Sequence, residues 1–353
     1  MQLDLFTLDF SHRQTEGEGI EPHQPQKLYV CVLSGIECNR GAGYEDPVRT
    51  VMRLPTISSV CLLLIAAAAM SFGSMQPPTI RTDVNLVQVQ VKVTDPRGRI
   101  VAGLQKQAFE VLVDGQQQEI KVFQGEDAPV AAGIVIDNSA SMAPKVPDVI
   151  AAATEFARNS NPLDQMFVLH FNNRARLGLP PGQAFTDQID ELKSAISQFD
   201  LGGTTAFYDA LMSALKHLDS AKYNRRVILA ITDGGDNSST ATADDVLNAA
   251  ARSGTAIFAV GVFDSADLDR NPSVLKQISE NTGGAAFLPQ ASSEVPGVCK
   301  QIAHEIRQEY TLGFAGATDG RYHSIRVVVH DARYGSLEAH ARPGYWAGAG
   351  KSE

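Results

Sequence analysis

The sequence predicts an α/β protein: a doubly wound, mostly parallel sheet with a flanking β-sandwich built from N- and C-terminal segments. Three observations predict it. The middle of the 353-residue chain alternates short, continuously apolar runs with segments of helical periodicity, and strands covered on both faces must be apolar in this way. Both ends of the chain instead alternate apolar and polar residues with period two. Neither end has enough strands for a stable pair of sheets, whereas together they supply six or seven.

Composition narrows the function classes. With 44% hydrophobic and 20% charged residues the chain has the makeup of a folded protein rather than a disordered one. A net charge of -10 argues against a nucleic-acid partner, which calls for a basic face to neutralise phosphates. An acidic surface suits the binding of cations or proteins.

Residues 1–51 are polar and lack helical or strand periodicity, so they are expected to be a prefix outside the fold, with Met52 the true start. Residues 52–75, "MRLPTISSVCLLLIAAAAMSFGSM", are expected to be a secretory signal peptide. Arg53 supplies the positive start, Val60 to Met70 an apolar core too short to cross a bilayer, and Ser71 and Gly73 small residues near a cleavage point. A cytoplasmic prefix ahead of a signal anchor is the competing expectation, disfavoured by that length. The mature protein is then exported to periplasm, cell surface or medium, with no stable membrane span. Of the four cysteines, Cys31, Cys38 and Cys61 precede the cleavage point, which leaves Cys299 as a buried thiol without a disulfide partner.

In the N-terminal β segment, residues 76–128, Val87, Val89, Val91 and Val93 face one way and Gln88, Gln90, Lys92 and Thr94 the other, as in a half-buried strand. Phe109, Val111 and Val113 alternate up to Asp114-Gly115, a hairpin signal, with Ile120 and Val122 on the expected return strand. The central domain, residues 129–307, has apolar strands at Ile134–Ile136, Met166–His170, Val227–Ile231 and Ala256–Val262. Helical spacing relates Val146, Val149, Ile150, Ala153 and Phe156, and again Ile189, Leu192, Ile196 and Phe199. Thr242 to Asp245 forms a capping-box signal, and Gly254 marks the end of the same helix. In the C-terminal β segment, residues 308–346, Tyr310 to Phe314 precedes an Asp319-Gly320 turn and the alternating Ile325, Val327 and Val329. Residues 347–353 are a tail.

In a sheet wound on both sides, ligands bind beyond the carboxyl ends of the strands. Asp137 and Asp233 each stand where an apolar strand has just ended, so they are candidates for one site. "IDNSAS" adds Ser139 and Ser141, and "LGGTTAFYDAL" adds Thr204 and Thr205. Two carboxylates with several hydroxyls, and neither His nor Cys, make a hard oxygen donor set that fits Mg²⁺. Neutral hydroxyl ligands would leave positive charge on the ion and a position for a carboxylate from another molecule.

Asp137-Asn138-Ser139-Ala140-Ser141, the Gly-Gly-Thr turn ending at Thr204, and Thr232-Asp233-Gly234 resemble the metal-ion-dependent adhesion site of von Willebrand factor A (VWA) domains. The resemblance spans roughly residues 130 to 305 and implies a Rossmann-like fold. It implies that Ser139 and Ser141 ligate Mg²⁺ or Mn²⁺ directly, and that Asp137, Thr204 and Asp233 do so directly or through water. Thr204 is preferred to Thr205 because it directly follows Gly202-Gly203. The implied activity is non-enzymatic recognition of a protein partner that offers an acidic side chain. A scaffold with an idle metal site is the alternative. The mature chain also resembles, more loosely, the VWFA-related secreted proteins described from acidobacteria, with their flanking β segments and an aromatic ending like Gly344-Tyr345-Trp346.

Other chemistries fit less well. A Mg²⁺-dependent phosphoryl-transfer enzyme could use Asp137 as acceptor, but Ser139 stands where a second acid or Thr is usual, and the site segments contain no Lys. A serine hydrolase lacks the G-x-S-x-G elbow, and no His accompanies Ser139 or Ser141; His170 at a strand end is expected to be structural. "GAGKS" at Gly348–Ser352 has Tyr345 where a phosphate loop requires Gly, and "HEIRQ" from His304 has Gln308 where a zinc motif requires His. Asp264, Asp267 and Asp269 lack the glycine and closing Glu of a calcium loop.

Overall fold

The computed structural model describes residues 86–263 and 270–348. The expected prefix and signal peptide, the acidic loop Asp264–Asp269 and the end of the tail lie outside the described residues. The first β segment contains β1 (Leu86–Thr94), β2 (Phe109–Val113), β3 (Gln116–Gln118) and β4 (Val122–Gln124). The central domain follows with β5 (Ala131–Asp137), α1 (Val146–Asn159), β6 (Gln165–Phe171), β7 (Ala175–Leu177), α2 (Ile189–Ile196) and α3 (Phe207–Leu218). It continues through β8 (Arg226–Thr232), α4 (Ala243–Ser253), β9 (Ala256–Gly261), α5 (Pro272–Thr282), β10 (Ala286–Phe287) and α6 (Val295–Arg307). The chain then returns to β structure in β11 (Tyr310–Ala315), β12 (Tyr322–Val329), β13 (Glu338–His340) and β14 (Gly344–Trp346).

The central sheet has the order β10-β9-β8-β5-β6-β7, parallel except for the edge strand β7. Every residue of β5 and β9 is buried, because helices cover both faces. Helices α1, α2 and α6 pack together on one face and α3, α4 and α5 on the other. Helix α4 is bracketed as its sequence foretells. Thr242 and Asp245 form a reciprocal capping box, and Gly254 ends the helix at a φ of 69°. Helix α6 ends at Arg307, with Cys299 buried in its apolar stripe, where burial pushes the thiol up to about 12.

The flanking segments form two antiparallel sheets, β13-β1-β11-β4 and β14-β12-β2-β3, around one apolar core that includes Val89, Val91, Val111, Leu312 and Phe314. Both sheets draw on both ends of the chain, so neither exists until the two ends meet. Tyr310, fully buried, packs against Phe109 at 4.9 Å; its hydroxyl donates to the Val101 carbonyl and accepts from the Leu104 N–H.

Three details differ from the sequence expectation. The sandwich has eight strands, because β13 and β14 are too short to show alternation. The return strand after Asp114-Gly115 stops at Gln118; the hairpin itself is as expected, with both turn residues at positive φ. The chain then crosses, and Val122 pairs with Gly313 in the other sheet. The polar face of β1 is covered as well. Gln90 and Thr94 are buried, and Lys92 pairs with Glu305 of α6 at 3.1 Å, so this face carries polar groups to meet a helix rather than water.

The two parts are also tied by a buried cation. Arg225, at the foot of β8, donates to the Ala128 and Ile306 carbonyls and pairs with Glu309 at 3.3 Å, both side chains being 3% exposed. Ala128 precedes β5 and Glu309 precedes β11, so one guanidinium holds the chain where it enters and leaves the central domain.

Candidate metal centre

β5 delivers Asp137 at its carboxyl end, fully buried, and β8 delivers Thr232 and then Asp233 at the matching end of the neighbouring strand. After β5 the chain turns at Asn138-Ser139 into a 3₁₀ turn, Ala140–Lys145, anchored by the buried Met142. The turn closes on Asp137 itself, whose Oδ1 accepts from the Ser139 N–H at 2.8 Å. After β8 the chain turns through Gly234 at a φ of 76°, where a Cβ would lie 2.9 Å from the Asn271 carbonyl; only glycine fits.

These two turns bring four of the candidate residues together. Ser139 Oγ lies 3.1 Å from Ser141 Oγ, and Ser141 Oγ donates to Asp233 Oδ2 at 2.6 Å. Asp233 Oδ1 accepts from the Gly235 N–H at 3.1 Å. Asp137 Oδ2 accepts from the Thr232 hydroxyl at 2.6 Å. Thr204 is not drawn into this hydrogen-bonded set; it is exposed, on the loop before α3. That loop is joined to the site through backbone, with the Gly202 N–H donating to the Asn138 carbonyl at 3.0 Å. Thr205, next to it, is buried, and its backbone is fastened to Asn237.

Burial pushes the Asp137 carboxyl up to about 6, and the Asp233 charge adds to the rise against the opposing hydrogen bonds from Thr232 and Ser139. A buried carboxylate beside a second carboxylate, with two serine hydroxyls converging on the same point, is an arrangement that a hard divalent cation would stabilise. Among the described residues no group of three or more His, Cys, Asp or Glu gathers, so the donor set rests on hydroxyls as much as on carboxylates. The residues present fit such an ion.

Two residues of the site had no role assigned from sequence. Thr232, although part of the Thr-Asp-Gly run, acts as the clasp between strands: it donates to Asp137 and accepts from the Gly234 N–H at 3.0 Å. Asn138 fastens the serine-bearing turn to neighbouring elements, through the Phe171 carbonyl and through a 3.2 Å contact with His170 Nδ1. His170 Nε2 meets the Ala195 carbonyl at 2.8 Å, and burial lowers the imidazole pKa. His170 is therefore a structural histidine with both ring nitrogens engaged.

The family model for the von Willebrand factor type A domain matches residues 133–301. No curated protein matches the chain. Among solved structures, the von Willebrand factor type A protein from Catenulispora acidiphila is similar at 15% identity, with a TM-score of 0.46, over 76% of this chain and 75% of that one. BatB from Bacteroides thetaiotaomicron is similar at 19% identity and a TM-score of 0.42, over 50% of this chain and 97% of that one. Proximal thread matrix protein 1 from the mussel byssus, in a structure with a zinc occupied MIDAS motif, is similar at 15% identity and a TM-score of 0.42, over 51% of this chain and 48% of that one. The matched span contains all five candidate ligands, Asp137, Ser139, Ser141, Thr204 and Asp233, and coincides with the doubly wound sheet: the chain carries a von Willebrand factor type A domain over residues 133–301.

Proposed function

We propose that the protein is an exported binding module that recognises an acidic side chain of a protein partner through Mg²⁺ or Mn²⁺ held at Asp137, Ser139, Ser141, Thr204 and Asp233. The observation that carries this reading is the placement of Ser141 Oγ between Ser139 Oγ and Asp233 Oδ2, in front of a buried Asp137. The bound cation supplies uncancelled positive charge and a coordination position for the partner's carboxylate. The protein's own part is positional. Thr232 and the Ser139 N–H orient Asp137, the Gly235 N–H orients Asp233, and the Asn138 contacts fix the turn bearing both serines. Thr204 is the fifth ligand in this proposal; what supports it is that its loop is joined to the serine-bearing turn by the Gly202 N–H to Asn138 carbonyl bond.

The role proposed is non-catalytic. Ser139 and Ser141 face each other and a carboxylate rather than an imidazole, and the histidine at this rim, His170, is engaged elsewhere. Export rests on the signal-like run at 52–75. Among the described residues no helix is long and apolar enough to cross a membrane.

The test is thermal unfolding of the full chain in Mg²⁺, Mn²⁺ or EDTA, with Asp137→Ala alongside. A ligand of the native state alone raises stability by mass action, by about 2.7 kcal/mol at a hundredfold excess over Kd. The expected result is a cation-dependent rise in midpoint in the wild type and none in the variant. Equal midpoints in cation and EDTA for the wild type would sink the proposal and favour a scaffold with an idle site.

A further inference from the structure

A cleft of about 470 Å³ opens at the other end of the central sheet, between β1, the end of α4 and β14. Its walls include Arg226, Arg252 and Arg342 with Gln88 and Trp346, and among the described residues no Asp or Glu lines it. That is an unusual wall for a chain whose net charge is -10. Arg342 is 6% exposed; its Nη1 donates to the Ala251 carbonyl at 3.0 Å and its Nη2 to the Gln88 carbonyl at 2.9 Å. These bonds hold the guanidinium in place but bring it only neutral acceptors. Among the described residues no carboxylate pairs with Arg342, and its buried Nε–H has no acceptor. Arg226 has one exposed partner outside the cleft wall, Asp219 at 3.3 Å, and its own Nε–H is likewise buried without an acceptor. Arg252 is exposed and stands 5.1 Å from the centre of the Trp346 ring.

Burying a guanidinium against neutral groups is costly, and leaving its donors unmade adds to the cost. An oxyanion in the cleft would supply the counter-charge these guanidinium groups lack there, and the planar N–H donors of arginine suit its oxygens. We propose that this cleft is a second binding site, independent of the metal centre, for a phosphate monoester. Three cationic groups suit a ligand bearing close to two negative charges and three oxygens better than a carboxylate with one charge and two. The cleft exceeds the needs of a bare phosphate, which leaves room for the organic group beside Trp346.

Trp346 is the chain's one tryptophan, so its fluorescence reports on this cleft without interference. The test titrates the full chain with inorganic phosphate in EDTA at constant ionic strength, followed by Trp346 fluorescence and by calorimetry in parallel. Sodium acetate is titrated separately. Wild type and Asp137→Ala are expected to give the same saturable phosphate binding. Arg252→Gln, an exposed substitution that leaves the fold intact, is expected to weaken it about tenfold, the usual scale for one charge-assisted hydrogen-bonding group. The proposal is overturned by absence of saturable binding in both readouts, by equal affinity in Arg252→Gln, or by acetate binding as tightly as phosphate. EDTA keeps this result separate from the fate of the metal centre.

Discussion

At the scale of single residues, Asp137 sets the chemistry of the centre, because its burial works against its own charge. Its folded pKa of about 6 lies above the unfolded 3.8, so the ionised group costs stability at neutral pH, and that cost is relieved as pH falls from about 6 towards 4. Asp137→Asn keeps the shape and loses the charge; the Thr232 hydroxyl, which already accepts from Gly234, can turn and accept from the new amide as well. In EDTA the Asn variant should therefore be more stable than wild type at pH 8, by on the order of 2 kcal/mol, with the gap closing below pH 4. Denaturant titrations at the two pH values check this; a wild type that gains nothing on acidification would contradict it. With the proposed cation at this site, the same carboxyl would make its binding compete with protons. The Mg²⁺-induced rise in Tm should thus be smaller at pH 5 than at pH 7.5, which a pair of melting curves decides.

At the scale of elements, helix α4 shows what local chemistry can do. Thr242→Ala removes a reciprocal capping box and should cost about 1 kcal/mol in chemical denaturation, with metal-induced stabilisation unchanged. Gly284→Ala should cost considerably more, because its Cβ would strike the Ile257 carbonyl of β9, backbone that cannot step aside. α4 was legible in the sequence for the reason that makes these predictions simple: cap, apolar stripe and terminal glycine all sit within one segment. The four long parallel strands were legible too, since burial on both faces leaves unbroken apolar runs. The strands β7, β10, β13 and β14, of three residues or fewer, were not, since period two needs length to show. Nor was the crossing of β4 into the second sheet, which depends on where Gly313 lies in a strand nearly two hundred residues away. At the candidate metal centre, Asp137 and Asp233 were readable from their places after apolar strands. The clasp formed by Thr232 was not, because a threonine ending a strand has an ordinary packing explanation.

At the scale of the whole molecule, the central domain and the sandwich share a buried ion pair. Arg225 bonds to backbone on both sides of the junction and to Glu309 within it, so its loss strands an acid in the interior. Arg225→Ala should destabilise the protein by about 3 kcal/mol or more, the usual consequence of breaking a buried pair on one side. Differential scanning calorimetry should show the junction's role directly. If the described parts unfold together, the wild type gives one transition in this range of the chain, and the variant gives a lower or divided one.

The placement of that junction also decides how the molecule carries load. The chain enters the central domain just before β5 and leaves it just after α6, and Asp127 and Arg307, one on each path, are themselves paired at 2.7 Å. Both attachments stand at the amino-terminal foot of the sheet, while Asp137 stands at the opposite, carboxyl-terminal end of β5. Tension applied at Asp137 therefore runs straight down one covalent strut and into a two-point footing. It loads β5 along its axis, where the parallel ladders to β6 and β8 resist in shear over the whole strand rather than opening one bond at a time.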